Sequence, residues 1–232
     1  YDSDGVVVEL DFEGKPIERK EVSADVTVES VLENYLNAIG GRTLVEGIDD
    51  MTETVEMDVM GMAMATTTKR IISRKCFSVV QTMGGNQASS IVLRDGKINV
   101  SAGAMEQEIT DPEQVEAMSD IYPFPEILGP EQGYVFTLEG IESVEGSDAY
   151  KVRQEKRGAV VYNFYDVATG LKVKSIVSSQ GQTQEVFYGD YQKTAYGILY
   201  PMSQTMPLPQ WDTVKANVTD VKFNTGLTPD QL

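Results

Sequence analysis

The sequence contains no histidine and only one cysteine, Cys76, among its 232 residues. Without histidine, the chain cannot form a histidine-ligated zinc site, a Ser-His-Asp or Cys-His nucleophile system, or the commonest near-neutral acid–base group. A single cysteine excludes an internal disulfide and a multi-thiolate metal site. Because Cys76 lies in the apolar run "KCFSVV", we expect it to be a small core residue rather than a reactive thiol.

Positive charge and long apolar runs are also scarce. Lysine and arginine number 19 against 36 aspartate and glutamate residues, which gives a formal net charge of −17. Such a field repels phosphate backbones and anionic lipid surfaces, so nucleic acid is not an expected partner. No run approaches the roughly 18 consecutive apolar residues that a membrane-spanning helix needs. Hydrophobic residues at 41% and charged residues at 24% indicate a folded globular protein rather than a disordered one.

The first residues, "YDSDGVVVELDFEGKP", lack an initiator methionine and the basic start and apolar core of a signal peptide. We therefore expect a piece of a longer protein, with residues 1–25 as a connector and residues 26–232 as one domain, since no linker-like segment divides the middle. "DSDG" at Asp2–Gly5 resembles the start of a calcium loop, but the later acidic ligands are missing and a solvated turn is predicted. No metal site is predicted.

One short helix is the clearest local signal. The stretch "TVESVLENYLNAIGG" repeats apolar residues at helical spacing, with Thr27 as a candidate N-cap and Gly40-Gly41 as a stop. We predict a helix from Val28 to Ile39 that lies flat on an apolar surface. Its apolar stripe consists of Val28, Val31, Leu32, Tyr35, Leu36 and Ile39.

After this helix the pattern changes to the two-residue alternation of β-strands. The run "MTETVEMDVMGMAMATTTKR" alternates apolar and polar residues, which is typical of an antiparallel sheet covered on one side. Asp95-Gly96 predicts a hairpin turn, and a second helix is expected at "DPEQVEAMSD", with Asp111 as cap and Pro112 at its first position. Two further strands are predicted in "GYVFTLEGIESVEGSDAYKVRQ" and another pair in "GAVVYNFYDVATGLKVKSIVSS". The segment "QTQEVFYGDYQKTAYGILYP" follows, and "PQWDTVKANVTDVKFNTGL" is expected to form one more strand.

The order of these pieces resembles the LolA-like superfamily, the periplasmic lipoprotein-carrier fold. The resemblance rests on the helix ending in Gly-Gly and on the motifs "YNFYDVATGLKVK" and "YGDYQKTAYGILYP", and it spans Val26 to Phe223. More narrowly, the chain resembles the domain at the C-terminal end of many Bacteroidetes zinc peptidases of the pitrilysin/insulinase family. Its opening residues look like the segment that joins the peptidase halves to that domain.

The resemblance implies an α+β fold in which a strongly curved antiparallel sheet forms an incomplete β-barrel. Helices would lie across its open, concave side, and an apolar ligand would occupy a cavity between sheet and helical lid. Strand alternation then supplies inward-facing sets, including Val160, and no cofactor is expected. The candidate cavity residues are Leu32, Tyr35, Leu36, Val55, Met57, Val59, Tyr134, Phe136, Leu138, Tyr162 and Phe164.

Three functions remain open. The first is a non-catalytic cell-envelope module that binds a lipid, an acyl chain or another apolar ligand. The second is a structural or partner-contacting C-terminal appendage of a zinc peptidase, with a filled barrel and the catalytic domains of the parent chain as partners. The third, an unrecognised enzyme, is the least favoured because histidine is missing. The resemblance implies the periplasm or cell envelope of a Gram-negative bacterium as the location.

The isolated chain is expected to have no peptidase activity, with or without added zinc. A zinc peptidase of the family it resembles needs a His-x-x-Glu-His helix, and the carboxylates available here suit harder cations than Zn²⁺. Cleavage of a peptide library by the pure protein measures this. Zinc-dependent cleavage that a chelator abolishes would contradict the prediction.

Overall fold

The computed structural model describes residues 20–119, 121–179, 182–208 and 211–232. The predicted connector, residues 1–25, lies mostly outside the described residues, as does the "DSDG" turn. The described ranges contain three α-helices, α1 (Val28–Ala38), α2 (Arg42–Glu46) and α3 (Pro112–Met118). Short 3-10 turns lie at Pro125–Ile127, Pro130–Gln132 and Pro229–Gln231.

The predicted capping of the first helix is confirmed. Thr27 Oγ1 accepts a hydrogen bond from the backbone N–H of Ser30, and Ser30 Oγ accepts one from the N–H of Thr27, so two orphan donors are satisfied reciprocally. Gly40 and Gly41, with φ of 134° and 100°, turn the chain after α1. They lead directly into α2, a five-residue helix too short to leave a periodic signal in the sequence.

Among the described residues, thirteen strands form one antiparallel sheet, and the sheet is not closed. In spatial order it runs β6-β5-β4-β3-β2-β1-β13-β12-β11-β10-β9-β8-β7. The hairpin turn between β4 and β5 is the predicted one, with Asp95 and Gly96 at φ of 52° and 73°. The strands are β1 (Asp50–Val59), β2 (Met62–Ile71), β3 (Cys76–Met83), β4 (Asn86–Arg94), β5 (Lys97–Ala102), β6 (Met105–Ile109), β7 (Tyr134–Val144), β8 (Ser147–Lys156), β9 (Ala159–Asp166), β10 (Lys172–Ser179), β11 (Gln182–Lys193), β12 (Leu199–Leu208) and β13 (Trp211–Phe223).

The sheet is strongly curved, and α1 lies on its concave side, as predicted. In a flat sheet β1 and β8 would be about 29 Å apart, at about 4.8 Å per strand, because five strands separate them. Yet Met51 of β1 and Val152 of β8 belong to one buried cluster together with the apolar face of α1. Only a curled sheet brings these two strands to a single helix. The fold is therefore an incomplete barrel with helices across its open side.

A second, smaller core lies at the other arm of the sheet. Val115 of α3 and Ile121 pack there against Phe77, Leu93 and Ile98 of β3, β4 and β5. Asp111 caps α3 by accepting a hydrogen bond from the N–H of Gln114, at 3.0 Å. Glu116 of α3 also pairs with Arg157 in the turn after β8, at 2.7 Å, so α3 contacts both arms of the sheet.

The convex face of β1 is hydrogen-bonded to residues near the end of the chain. The buried carboxylate of Asp50 accepts hydrogen bonds from the backbone N–H groups of Thr225, Gly226 and Leu227. Hydrogen bonds to an ionised acceptor are among the stronger ones, so this carboxylate fixes the path of the chain after β13. Across the described residues, no helix combines the length and the apolar character required to cross a bilayer.

Replacing Leu36 by alanine should destabilise the fold strongly. Leu36 has no exposed surface and lies in the core shared by both arms of the sheet, so the change should lower the free energy of unfolding by about 3 kcal/mol. Asn37→Ala, at the next, exposed position of α1, is the matched control and should change it by less than about 0.5 kcal/mol. Urea unfolding of the two variants measures the difference, and equal effects would contradict the assigned packing.

Candidate ligand-binding face

The side chains of α1 pack directly on the sheet. Leu36 and Ile39 are fully buried, and Leu32 is 7% exposed. The ring of Tyr35 lies 5.2 Å from the ring of Tyr165 on β9. Three of the predicted cavity residues, Leu32, Tyr35 and Leu36, are therefore members of a packed core. Their role as ligand contacts stays a prediction, and it would require α1 to move.

The predicted set on β7 lies on the concave face as well. Leu138 is opposite Val152 and Phe136 is opposite Gln154 on β8, and both Leu138 and Phe136 pack against the main core. Tyr134 is 1% exposed, and its ring stacks on that of Phe136 at 6.3 Å. These side chains form one wall of the concave side beside α1.

The predicted set on β9 points the other way. Tyr165 contacts α1, so strand alternation places Phe164, Tyr162 and Val160 on the convex face. There Phe164 and Tyr162 belong to a separate cluster, with the Lys151 Nζ atom 4.8 Å from the Tyr162 ring centre. The prediction that these three residues face the helix is wrong. The concave side of β9 carries the polar Asn163, which is buried and hydrogen-bonded to Gln154 and Ser175, so the more apolar side of this strand is not the side that faces α1.

The predicted set on β1 lies on a part of the concave face that α1 does not cover. Val55, Met57 and Val59 share the side of β1 that carries Met51, and they are half-buried. The strand register places residues of β2, β3, β12 and β13 beside them on the same side of the sheet. We call the apolar members of this surface the open floor; Thr66, Gln81 and Gln204 lie among them on the same side. The open floor consists of Val55, Met57, Val59, Met62, Met64, Met83, Met206 and Val214.

The open floor is apolar and accessible to solvent. Met62 is 49% exposed and Met83 is 39% exposed, and all eight side chains are hydrocarbon or thioether. Methionine side chains are flexible and polarizable, so such a surface adapts to ligands of irregular shape. The contributions of Met83, Met206 and Val214 were missed at the level of sequence, because strand register across a sheet cannot be deduced from alternation within one strand.

A buried carboxylate lies between the lid and the sheet. Glu126, on the 3-10 turn after Phe124, is 2% exposed. Its Oε1 atom accepts a hydrogen bond from Tyr165 Oη at 2.8 Å and pairs with Lys172 Nζ. Its Oε2 atom has no hydrogen-bond partner among the described residues. The sequence contained no signal for this cluster, because its members come from distant segments.

Four tyrosines of the interior are held in their neutral form. Burial, and secondarily the charge of Glu126, raise the pKa of Tyr35 and of Tyr165 well above the usual value. Burial also raises the pKa of Tyr191. The pKa of Tyr200 is raised first by burial and then by the charge of Glu53. The Glu53 carboxylate accepts a hydrogen bond from the Tyr200 hydroxyl at 2.7 Å. The interior thus resists ionisation of its phenols.

Two surface depressions flank α1. One, of about 300 Å³, lies between α1 and the turn from β9 to β10, and Val31, Asn34 and Tyr165 contribute to its lining. The other, of about 460 Å³, lies between the chain before α1 and the edge strand β7. Neither is lined by a convergent set of charged side chains. Within the described part of the chain, acidic and cysteine side chains form no group of three suited to a metal ion.

The sequence matches no family model and no curated relative, but solved structures share its fold. A LolA superfamily protein from Nitrosomonas europaea is 14% identical and superimposes with a TM-score of 0.58, covering 89% of this chain and 96% of its own. A putative outer membrane lipoprotein-sorting protein domain from Vibrio parahaemolyticus is 13% identical, with a TM-score of 0.55, and covers 86% of this chain and 94% of its own. The chain therefore has the LolA-like fold.

Stability should fall at alkaline pH because of the buried tyrosines. An unfolded tyrosine ionises near pH 10, while the folded-state pKa values of Tyr35, Tyr165 and Tyr200 are raised. The free energy of unfolding that these raised pKa values contribute is fully present below about pH 10. Above that pH it falls by about 1.4 kcal/mol per pH unit for each tyrosine. Urea unfolding between pH 8 and pH 11 measures the slope. Tyr35→Phe should make it shallower, and an unchanged slope would contradict the assignment.

Proposed function

We propose that this chain, with its LolA-like fold, is a non-catalytic binding module that holds an acyl chain or a similar apolar ligand on the open floor. The observation that supports the proposal is the exposure of Met62, Met83 and their neighbours on the concave side of the sheet. Concave apolar surfaces of folded proteins are common sites for apolar ligands. The chain has no histidine, so a purely binding role agrees with its composition.

Physical chemistry favours a flexible hydrocarbon over a rigid ligand. The floor is built from unbranched thioethers and small β-branched side chains on strands β1, β2, β3, β12 and β13. Each methylene group removed from water contributes about 0.8 kcal/mol, so an acyl chain laid across several strands gains affinity along its length. The acidic balance of the chain disfavours docking to an anionic lipid surface, which favours capture of single molecules.

A cell-envelope location is part of this proposal. It is supported by the fold shared with the putative outer membrane lipoprotein-sorting protein domain, and by the sequence resemblance to periplasmic lipoprotein carriers. On this basis the expected partner is a lipid or a lipid-modified molecule. The connection to a parent zinc peptidase rests on the sequence resemblance alone.

A second candidate function is a structural or partner-contacting C-terminal appendage of such a peptidase. The observation that favours it is the solid packing beneath α1, where Leu36, Ile39, Met51 and Ile198 have no exposed surface. A barrel filled in this way needs no ligand for stability. In that case the open floor would serve as a contact surface for the catalytic domains of the parent chain.

Titration with a fluorescent fatty acid distinguishes the two candidates. The wild-type protein should bind the probe saturably, and Met62→Glu should weaken binding about tenfold, because a carboxylate on the apolar floor costs roughly 1–3 kcal/mol. Met60→Glu is the matched control. It adds the same charge two residues away, on the β1–β2 turn, where the side chain is 75% exposed, and it should leave binding unchanged.

Thermal melting of the same variants shows whether they remain folded. Absence of saturable binding by the wild-type protein would overturn the proposed function and leave the appendage as the better candidate. Equal weakening by both glutamates would show that charge, and not the floor, controls binding, which would also contradict the proposal.

A further inference from the structure

Three methionines lie in one row across three adjacent strands of the open floor. Met57 of β1 is directly opposite Met64 of β2, and Met64 is directly opposite Met83 of β3. All three are on the concave side, since Met57 shares the face of β1 that carries the core residue Met51. Met62, on the same face of β2 as Met64, is the next methionine along the floor.

The spacing of this row allows the three sulfur atoms to approach one another. Directly opposed residues of antiparallel strands have Cβ atoms about 5 Å apart, and each thioether sulfur is two bonds beyond its Cβ atom. The three unbranched side chains are accessible, with Met83 39% exposed and Met57 and Met64 half-buried. Met57 and Met83 are two strand spacings apart, about 10 Å, with Met64 between them. The outer two side chains must therefore lean towards Met64 for three sulfurs to reach one ion, and unbranched side chains can do so by rotamer changes alone.

The chemistry of the row selects soft cations. Thioethers are neutral, soft donors that favour Cu(I), whereas Mg²⁺, Ca²⁺ and Mn²⁺ need oxygen donors. The neighbouring positions on the same face are Val55, Thr66 and Gln81 on one side and Val59 and Met62 on the other, so no carboxylate of the described residues competes within the row. The net charge of −17 attracts cations to the molecule.

We propose that Met57, Met64 and Met83 form a binding site for a soft monovalent cation, Cu(I) or Ag(I), with Met62 available as a fourth ligand. The site does not depend on the proposed acyl-binding function, although it uses part of the same floor. Binding involves no change of oxidation state, since a monovalent ion enters and leaves as such. The same thioethers provide both an apolar surface and soft ligands, so a bound ion should compete with an acyl chain.

Titration with Ag⁺ tests the site, because Ag⁺ is soft, monovalent and stable in air. With Cys76 replaced by serine, so that the single thiol of the chain does not bind Ag⁺, isothermal calorimetry should show saturable binding of one ion per chain. The methionine methyl resonances of Met57, Met64 and Met83 should shift together in NMR spectra. Zn²⁺ should produce neither effect. Binding of Zn²⁺ as tight as that of Ag⁺, or shifts spread over all 10 methionines, would overturn the proposal.

Leucine variants separate the metal site from the apolar floor. Met64→Leu and Met83→Leu should each weaken Ag⁺ binding by at least about tenfold, since even residues outside the first coordination sphere cost 10–100-fold. Both variants keep an apolar side chain, so fatty-acid binding should change little. Met60→Leu and Met105→Leu, at exposed positions outside the row, are the controls and should leave Ag⁺ binding intact. Unchanged affinity in Met64→Leu, or equal loss in the controls, would overturn the site.

Discussion

The packing of α1 against both arms of the curved sheet is the contact on which the rest of the structure depends. A sheet whose edge strands β6 and β7 do not pair would bury little apolar surface if it stayed flat. By contacting Met51 on one arm and Val152 and Tyr165 on the other, the helix stabilises the curl. The reciprocal cap at Thr27 and Ser30 fixes where this helix begins, so its apolar stripe meets the sheet in one orientation.

The consequence is a concave side with two distinct parts. Beneath the helices the side chains are packed, and a buried carboxylate, Glu126, is held there by Tyr165 and Lys172. Farther along the strands the same face continues without cover and becomes the open floor. Strands that extend beyond their lid thus combine a rigid half with an accessible half. Displacing α1 from its packed side chains to admit a ligand would cost several kcal/mol, whereas a ligand can reach the open floor without any rearrangement.

The convex side shows how a curved sheet can bury aromatic residues without a second layer of helices. Lys151 and Lys174 lie over the rings of Tyr162, Phe164 and Phe187 at 4.8 to 5.9 Å, and their ammonium groups pair with Glu142 and Glu185. The aliphatic stems of lysine cover apolar surface while the charged ends stay accessible to partners. The more apolar face of β9 is therefore the convex one, while the concave face carries the buried Asn163, and for this reason the prediction for Phe164 was wrong.

The sequence by itself determined the local elements. Helical spacing and capping residues located α1 and α3, Asp-Gly located a hairpin, and alternation indicated an antiparallel sheet covered on one side, because these signals act between residues close in the chain. Only the tertiary structure decided which face of β9 meets the helix, that Met57, Met64 and Met83 align, and that Glu126 reaches Lys172. Those outcomes depend on strand register and on contacts between distant segments. A shift of one residue in register reverses every side chain of a strand, and no pattern within a single strand records that choice.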